Sequence, residues 1–287
     1  MREKLFIVGR GIGQVMFQNN AFSGLLMFIG LLCNSWQMAL LAVAGNVVSN
    51  ALAYGWPCDR EAIKDGLYGF NGTLVGLALG ALMLPDVGLL LVFSFLLVGS
   101  LLSVGFVRLF RYWGKLPGYT APFILSVWLL LAANHLLFPD NALPHAFLSE
   151  PEQQADLFRA FSFNLGQVMF QGKAVLSGLF FLAAIFVNSR RDAFYTVWGA
   201  LLPLATVLLP GIGITDFNAG MIGYNGVLCA IALGGDSWKS FCWATVSVLL
   251  SIALQLGGMH AGIVTLTAPF VLSVWIVLLI RRWIEKC

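Results

Sequence analysis

The hexapeptide Gly13-Gln14-Val15-Met16-Phe17-Gln18 occurs twice. It returns as Gly166-Gln167-Val168-Met169-Phe170-Gln171, 153 residues later. Two further blocks follow in the same order. Gly69-Phe70-Asn71-Gly72 returns as Gly223-Tyr224-Asn225-Gly226 after 154 residues, and Thr120-Ala121-Pro122-Phe123 returns as Thr267-Ala268-Pro269-Phe270 after 147. The third block extends through Leu125-Ser126-Val127-Trp128 and Leu272-Ser273-Val274-Trp275. Three blocks in one order in both halves define a two-fold internal repeat, so the chain must fold as two like units. The boundaries are predicted at residues 1–138 for the first repeat, 139–160 for a linker and 161–287 for the second repeat.

The solvent these units face follows from composition. The chain is 59% hydrophobic and 10% charged, and its mean hydropathy is +0.87. Soluble domains carry roughly 25% charged residues, so an all-α integral membrane protein is expected. No cleavable leader is evident, because the first twelve residues are basic and interrupted by glycine. Cys33, Cys58, Cys229, Cys242 and Cys287 are far apart, and the chain has no Cys-x-x-Cys. Disulfide and metal readings are weak accordingly, and neither a metal nor a cofactor is expected. The net charge of +3 fits a basic excess on cytoplasmic loops better than a nucleic-acid footprint.

Each half holds five apolar spans, near residues 18–34, 36–54, 67–84, 87–107 and 120–138, then 173–188, 194–210, 220–235, 239–257 and 263–280. A full crossing needs about 20 apolar residues, so the shorter, Gly-rich third spans are expected to cross only part of the bilayer. An odd number of crossings reverses the insertion of the second copy, which predicts an inverted pair. With the N-terminus in the cytoplasm, alternating sides put 14 of the 16 basic residues inside and leave only Arg159 and Lys173 outside. Both termini are thereby predicted to be cytoplasmic. The segment from Phe138 to Phe158 carries Pro139, Pro144 and Pro151 with Asp140, Glu150, Glu152 and Asp156, and reads as an extracytoplasmic linker.

Almost nothing inside the spans ionises. His135 and His260 lie near span ends and His145 in the linker. Intramembrane charge is costly and kept for use, so its scarcity argues against a pump and for passive movement of something neutral. No catalytic cluster emerges, and no enzyme is expected. The repeated blocks supply polar groups instead: the amides of Gln14 and Gln167, and the hydroxyls of Thr120 and Thr267. Pro122 and Pro269 follow the threonines by two residues and are expected to release a carbonyl in the preceding turn. Phe17, Phe70, Phe170 and Tyr224 put flat rings in the same blocks. Facing rings would make a slot, and oxygens between them would accept hydrogen bonds from a small, planar, neutral donor. Each feature also has a plainer reading: a ring against lipid, a Thr bonded to its own helix, a Gln between helices. Recurrence in both halves favours the permeation path. Asn71-Gly72-Thr73 fits a glycosylation sequon but falls inside a predicted span.

At these blocks the chain resembles the urea transporter family. Leu116-Pro117-Gly118-Tyr119-Thr120-Ala121-Pro122-Phe123 fits that family's Leu-Pro-x-x-Thr-x-Pro-Phe signature, and the second copy keeps Thr267-Ala268-Pro269-Phe270 without the Leu-Pro. The resemblance implies about ten transmembrane helices as two inverted five-helix repeats with pore-lining half-helices. It implies a pore in each protomer, a homotrimer, and passive urea conduction. By the same resemblance Phe17 and Phe70 form one slot, and Phe170 and Tyr224 the other. Val15, Val168, Leu74 and Leu228 line the narrowing, Thr120 and Thr267 meet at the middle, and Gln14 and Gln167 bond urea nearer the ends. The compact chain suggests a bacterial inner membrane, with urea and the lipid bilayer as its partners. A conduit for short amides, ammonia or water is the alternative, although paired mid-span histidines and an Asn-Pro-Ala pair are both absent.

Overall fold

The computed structural model describes residues 2–83, 88–138 and 152–285. The prolines of the expected linker, with Asp140, His145 and Glu150, lie outside the described residues, as do Lys286 and Cys287. The chain divides into two compact units, Met1–Ser149 and Glu150–Cys287. Among the described residues every regular element is helical.

The first unit runs α1 (Arg2–Gln14), α2 (Ala21–Asn34), α3 (Trp36–Gly55), α4 (Arg60–Lys64), α5 (Gly69–Leu82), α6 (Leu89–Trp113) and α7 (Ala121–Leu137). The second runs α8 (Leu157–Gly166), α9 (Val175–Asn188), α10 (Arg190–Leu201), α11 (Ile214–Asn218), α12 (Tyr224–Leu233), α13 (Trp238–His260) and α14 (Ala268–Ile284). The order matches element for element. Small details repeat too. Ser35 ends α2 and starts α3, its Oγ accepting the Met38 N–H at 3.3 Å; Ser189 does the same between α9 and α10, accepting from Asp192 at 3.1 Å. A capping serine lets one helix stop and the next begin with no loop.

Three differences from the expected spans have local causes. α8 begins at Leu157, inside the stretch expected as linker, because Asp156 caps it by accepting the Arg159 N–H at 3.0 Å. The span expected over 194–210 is α-helical only to Leu201 and continues as a 3-10 helix over Leu202–Leu208. Pro203 cannot donate to the α-helical ladder, and its ring crowds the preceding turn. The short helices α4 and α11 were not foreseen, and each leads into a buried central helix.

Those central helices are α5 and α12. In α5 every residue from Gly69 to Gly80 is buried, and in α12 all but one are. α5 packs against α1, α3, α6 and α7; α12 packs against α8, α10, α13 and α14. A helix apolar all round suits either lipid or a protein interior, and the burial of α5 and α12 places both in the interior of their units. Glycine makes the enclosure tight: a Cβ on Gly72 would lie 2.3 Å from the Gly45 carbonyl oxygen of α3, and one on Gly199 of α10 would lie 2.6 Å from that of Gly226. At about 1.5 Å per residue, α5 and α12 span roughly 21 and 15 Å, short of a hydrocarbon layer about 30 Å thick. α3, α6 and α13 are each long and apolar enough to cross.

Candidate permeation site

The first repeated block closes a helix in the same way twice. The Phe17 N–H donates to Gln14 O at 3.1 Å and the Gln18 N–H to Gly13 O at 3.0 Å; Phe170 and Gln171 repeat this on Gln167 and Gly166 at 3.1 and 3.0 Å. This is a left-handed helix stop, a place where glycine is usual. Here it holds a phenylalanine, with φ of 63° at Phe17 and 60° at Phe170. The other positive-φ residues besides glycine, among those described, are Tyr119 (44°) and Leu266 (49°), the residues before the two threonines. A bulky residue in this region costs of order 1–3 kcal/mol and persists only where its surroundings over-determine it. The four outliers form two matched pairs: Phe17 and Phe170 fall within the first repeated block, and Tyr119 and Leu266 immediately precede the third.

The glutamines are held by their amides. Gln14 Nε2 donates to the Asp65 carbonyl at 3.0 Å, and Gln167 Nε2 donates to the Ala219 carbonyl at 3.0 Å. Asp65 and Ala219 cap the C-termini of α4 and α11. An amide nitrogen on a carbonyl fixes the flip of the group, so Oε1 is the acceptor left to present elsewhere. The next residue in each half is a glycine with φ of 78° (Gly66) or 71° (Gly220). A Cβ there would sit 2.5 Å from Gly11 N or 2.4 Å from Phe163 C. These glycines let α4 and α11 turn into α5 and α12 while touching the backbone of α1 and α8.

The second block is tied to the third by asparagine. Asn71 Oδ1 accepts the Phe123 N–H at 3.0 Å, and Asn225 Oδ1 accepts the Phe270 N–H at 3.2 Å. Both asparagines are fully buried. Each caps a helix that begins inside the protein just after a threonine. Thr120 and Thr267 are 3% exposed, and their side chains make no capping bond to α7 or α14. The expected release of a carbonyl by proline does not occur. Pro122 and Pro269 are the second residues of their helices, where the backbone N–H has no intrahelical partner anyway.

The donor inventory at these two buried helix starts is therefore closed. Ala121 donates to Gly118 O at 2.9 Å, proline has no N–H, Phe123 donates to Asn71, and Ile124 donates to Thr120 O at 3.0 Å. In the second unit Ala268 donates to Thr265 O at 3.0 Å, Phe270 to Asn225, and Val271 to Thr267 O at 3.2 Å. A helix N-terminus with open N–H groups attracts anions. Here the first turn has none to offer.

The remaining expected residues divide into rings and aliphatic walls. The Phe17 ring meets Tyr119 edge-on, with centroids 5.8 Å apart and planes at 82°. Phe70 is the second residue of α5 and is 9% exposed. Tyr224 starts α12 at 6%, and its hydroxyl donates to the Leu266 carbonyl, with Thr265 Oγ1 at 3.4 Å. A polar web backs it: Thr265 Oγ1 and Asn225 Nδ2 donate to Gln255 Oε1 at 2.8 and 3.1 Å. Val15, Val168, Leu74 and Leu228 are at most 2% exposed. His135 and His260 are exposed, each in the last turn of its helix. Among the described residues no group of three or more His, Cys, Asp or Glu could hold a metal.

Sequence reasoning missed Asn71, Asn225, Tyr119 and Leu266. The asparagines carried a usable signal, since both recur in the Gly-x-Asn-Gly block. The positive φ of Tyr119 and Leu266 had none, because neither residue type announces that backbone state.

Two matching helical units, each with an enclosed half-length helix and buried polar groups in repeated blocks, define a helical membrane protein built on an internal repeat. A family model described as urea transporter matches residues 5–282, and the chain belongs to that family. It is 30% identical over 260 residues to urea transporter 1 of Rattus norvegicus, covering 85% of this chain and 66% of that protein. It is 28% identical over 295 residues to urea transporter 1 of Ovis aries, covering 94% of this chain and 75% of the relative. The match to the Mus musculus protein is 30% over 258 residues, with 85% and 66% covered. The chain thus spans just under two thirds of the length of the rat and mouse relatives.

Proposed function

We propose that this protein conducts urea passively across a membrane. One observation carries the reading. The buried start of α7 and that of α14 have every first-turn N–H engaged, yet keep a buried threonine beside them. Such a site offers oxygen acceptors and no open backbone donor. It disfavours anions and suits a neutral solute rich in N–H groups. Urea is planar and neutral, and its N–H donors outnumber its carbonyl acceptor. Fixed oxygens replace its water without reorganising.

In this reading Thr120 and Thr267 accept from urea N–H groups, with Gln14 and Gln167 adding Oε1 acceptors nearer the mouths. Phe17 and Phe70 make one slot and Phe170 and Tyr224 the other, narrowed by Val15, Leu74, Val168 and Leu228. Each protomer of a homotrimer carries its own pore. The odd span count and the charge partition support an inverted pair of repeats with both termini in the cytoplasm. Family membership and the relatives' names support the choice of urea.

The test is stopped-flow urea uptake into liposomes holding the purified protein, with no ion gradient. Saturable flux well above that of empty liposomes is expected. Folded, inserted protein giving only the background rate would overturn the reading; short amides, ammonia and water are the comparison solutes.

A further inference from the structure

The residue before each buried threonine has a large side chain, a positive φ, and a direct contact with a ring of its own half. In the first unit that residue is Tyr119. Its ring stands edge-on to Phe17, 5.8 Å away at 82°. In the second unit it is Leu266, whose carbonyl accepts the Tyr224 hydroxyl. The two halves use one backbone position to hold a slot ring, but hold different rings by different means.

Glycine would take either position without strain. Tyr119 and Phe17 are both in the left-handed region, both partly exposed, and in contact although 102 positions apart in sequence. An inference from such outliers runs toward function. The edge-on contact favours one tilt of Phe17, and with it one width of the proposed slot. The second slot is pinned otherwise, by the Tyr224 hydroxyl and the Gln255 web. A hydrogen bond to a fixed carbonyl resists displacement in one direction. An aromatic edge contact lets the ring tilt at small cost.

We infer that Tyr119 is the positioning residue that sets the first slot's selectivity against urea analogues with bulkier nitrogens. This rests on the reading of the protein as a urea conduit. The side chain touches no substrate; it acts through Phe17. Nothing in the family match assigns it this part.

The test compares urea and N-methylurea flux in liposomes for the parent protein, Tyr119→Leu and Tyr119→Phe. Leucine is the residue the other half carries at this position. In Tyr119→Leu the ratio of N-methylurea to urea flux is expected to rise about threefold, the scale of one lost aromatic pair. Tyr119→Phe keeps the ring and should keep the ratio. An unchanged ratio in Tyr119→Leu, or an equal rise in Tyr119→Phe, overturns the inference. If Tyr119→Leu does not insert, Tyr119→Met takes its place, with similar reach and no ring. A merely structural role would lower both fluxes together and leave the ratio alone. Failure of the parent to conduct urea would strike the function itself, which keeps the two failures distinct.

Discussion

Asn71 Oδ1 accepts the Phe123 backbone N–H at 3.0 Å, joining the start of the enclosed helix α5 to the start of α7. Asn225 and Phe270 repeat the bond at 3.2 Å. Replacing Asn71 or Asn225 by leucine should leave a buried N–H without a partner and cost about 1–3 kcal/mol. Denaturation of purified protein in detergent should show the loss, with urea flux reduced in the surviving fraction. A variant as stable as the parent would show that these caps are dispensable.

The contact between the first and third helices of each unit holds a buried asparagine contributed from opposite sides. In the first unit Asn46 of α3 covers Gly11 of α1, and a Cβ on Gly11 would lie 2.3 Å from Asn46 Nδ2. In the second, Asn164 of α8 stands at the matching place and donates to Ala200 O of α10 at 2.9 Å. Gly11→Asn alone should therefore disrupt packing, and Gly11→Asn with Asn46→Ala should recover much of the loss. A double-mutant cycle on unfolding should give a favourable coupling of about 0.5–3 kcal/mol. Strict additivity would refute the exchange.

Gly66 and Gly220 combine a left-handed φ with backbone contact to another helix. Alanine at either should cost about 1–2 kcal/mol for the backbone state alone, and a further 1–3, roughly, for the clash. Size-exclusion profiles after mild heating should show early aggregation for both variants. Gly55→Ala, where a Cβ meets nothing within 4 Å, is the matched control.

Thr120→Val and Thr267→Val remove one acceptor each and keep the side-chain shape. A lost hydrogen bond of about 1 kcal/mol predicts urea flux lower by roughly fivefold, with melting temperature little changed. Parental flux in both variants would remove the threonines from the path.

The proposed path is lined by Gln, Thr, Val, Leu, Phe and Tyr. None of these changes charge between about pH 5 and pH 8. Urea flux should be flat across that range and indifferent to an imposed proton gradient. A bell-shaped or sigmoid profile would reveal a titrating group in the path.

The repeat, the membrane setting and the candidate polar residues were legible along the chain. Each rests on short-range information: an apolar run, a loop charge, a block of residues seen twice. Gln14, Gln167, Thr120 and Thr267 could be picked out because polar groups in apolar surroundings need a reason. What the proline after each threonine does was not legible. Its effect depends on whether the helix has already begun, and it has only just begun at Ala121 and Ala268.

Sequence alone thus determined that two like helical units sit in lipid, with the same polar residues at the same places. Tertiary structure alone decided which groups those residues meet. Asn71 reaches Phe123 across 52 positions, Tyr119 reaches Phe17 across 102, and Gly11 makes room for Asn46. In lipid every apolar helix face looks alike in composition, so nothing along the chain says which faces meet. Close packing and the need to satisfy each buried N–H settle that choice, and both act between segments far apart in sequence.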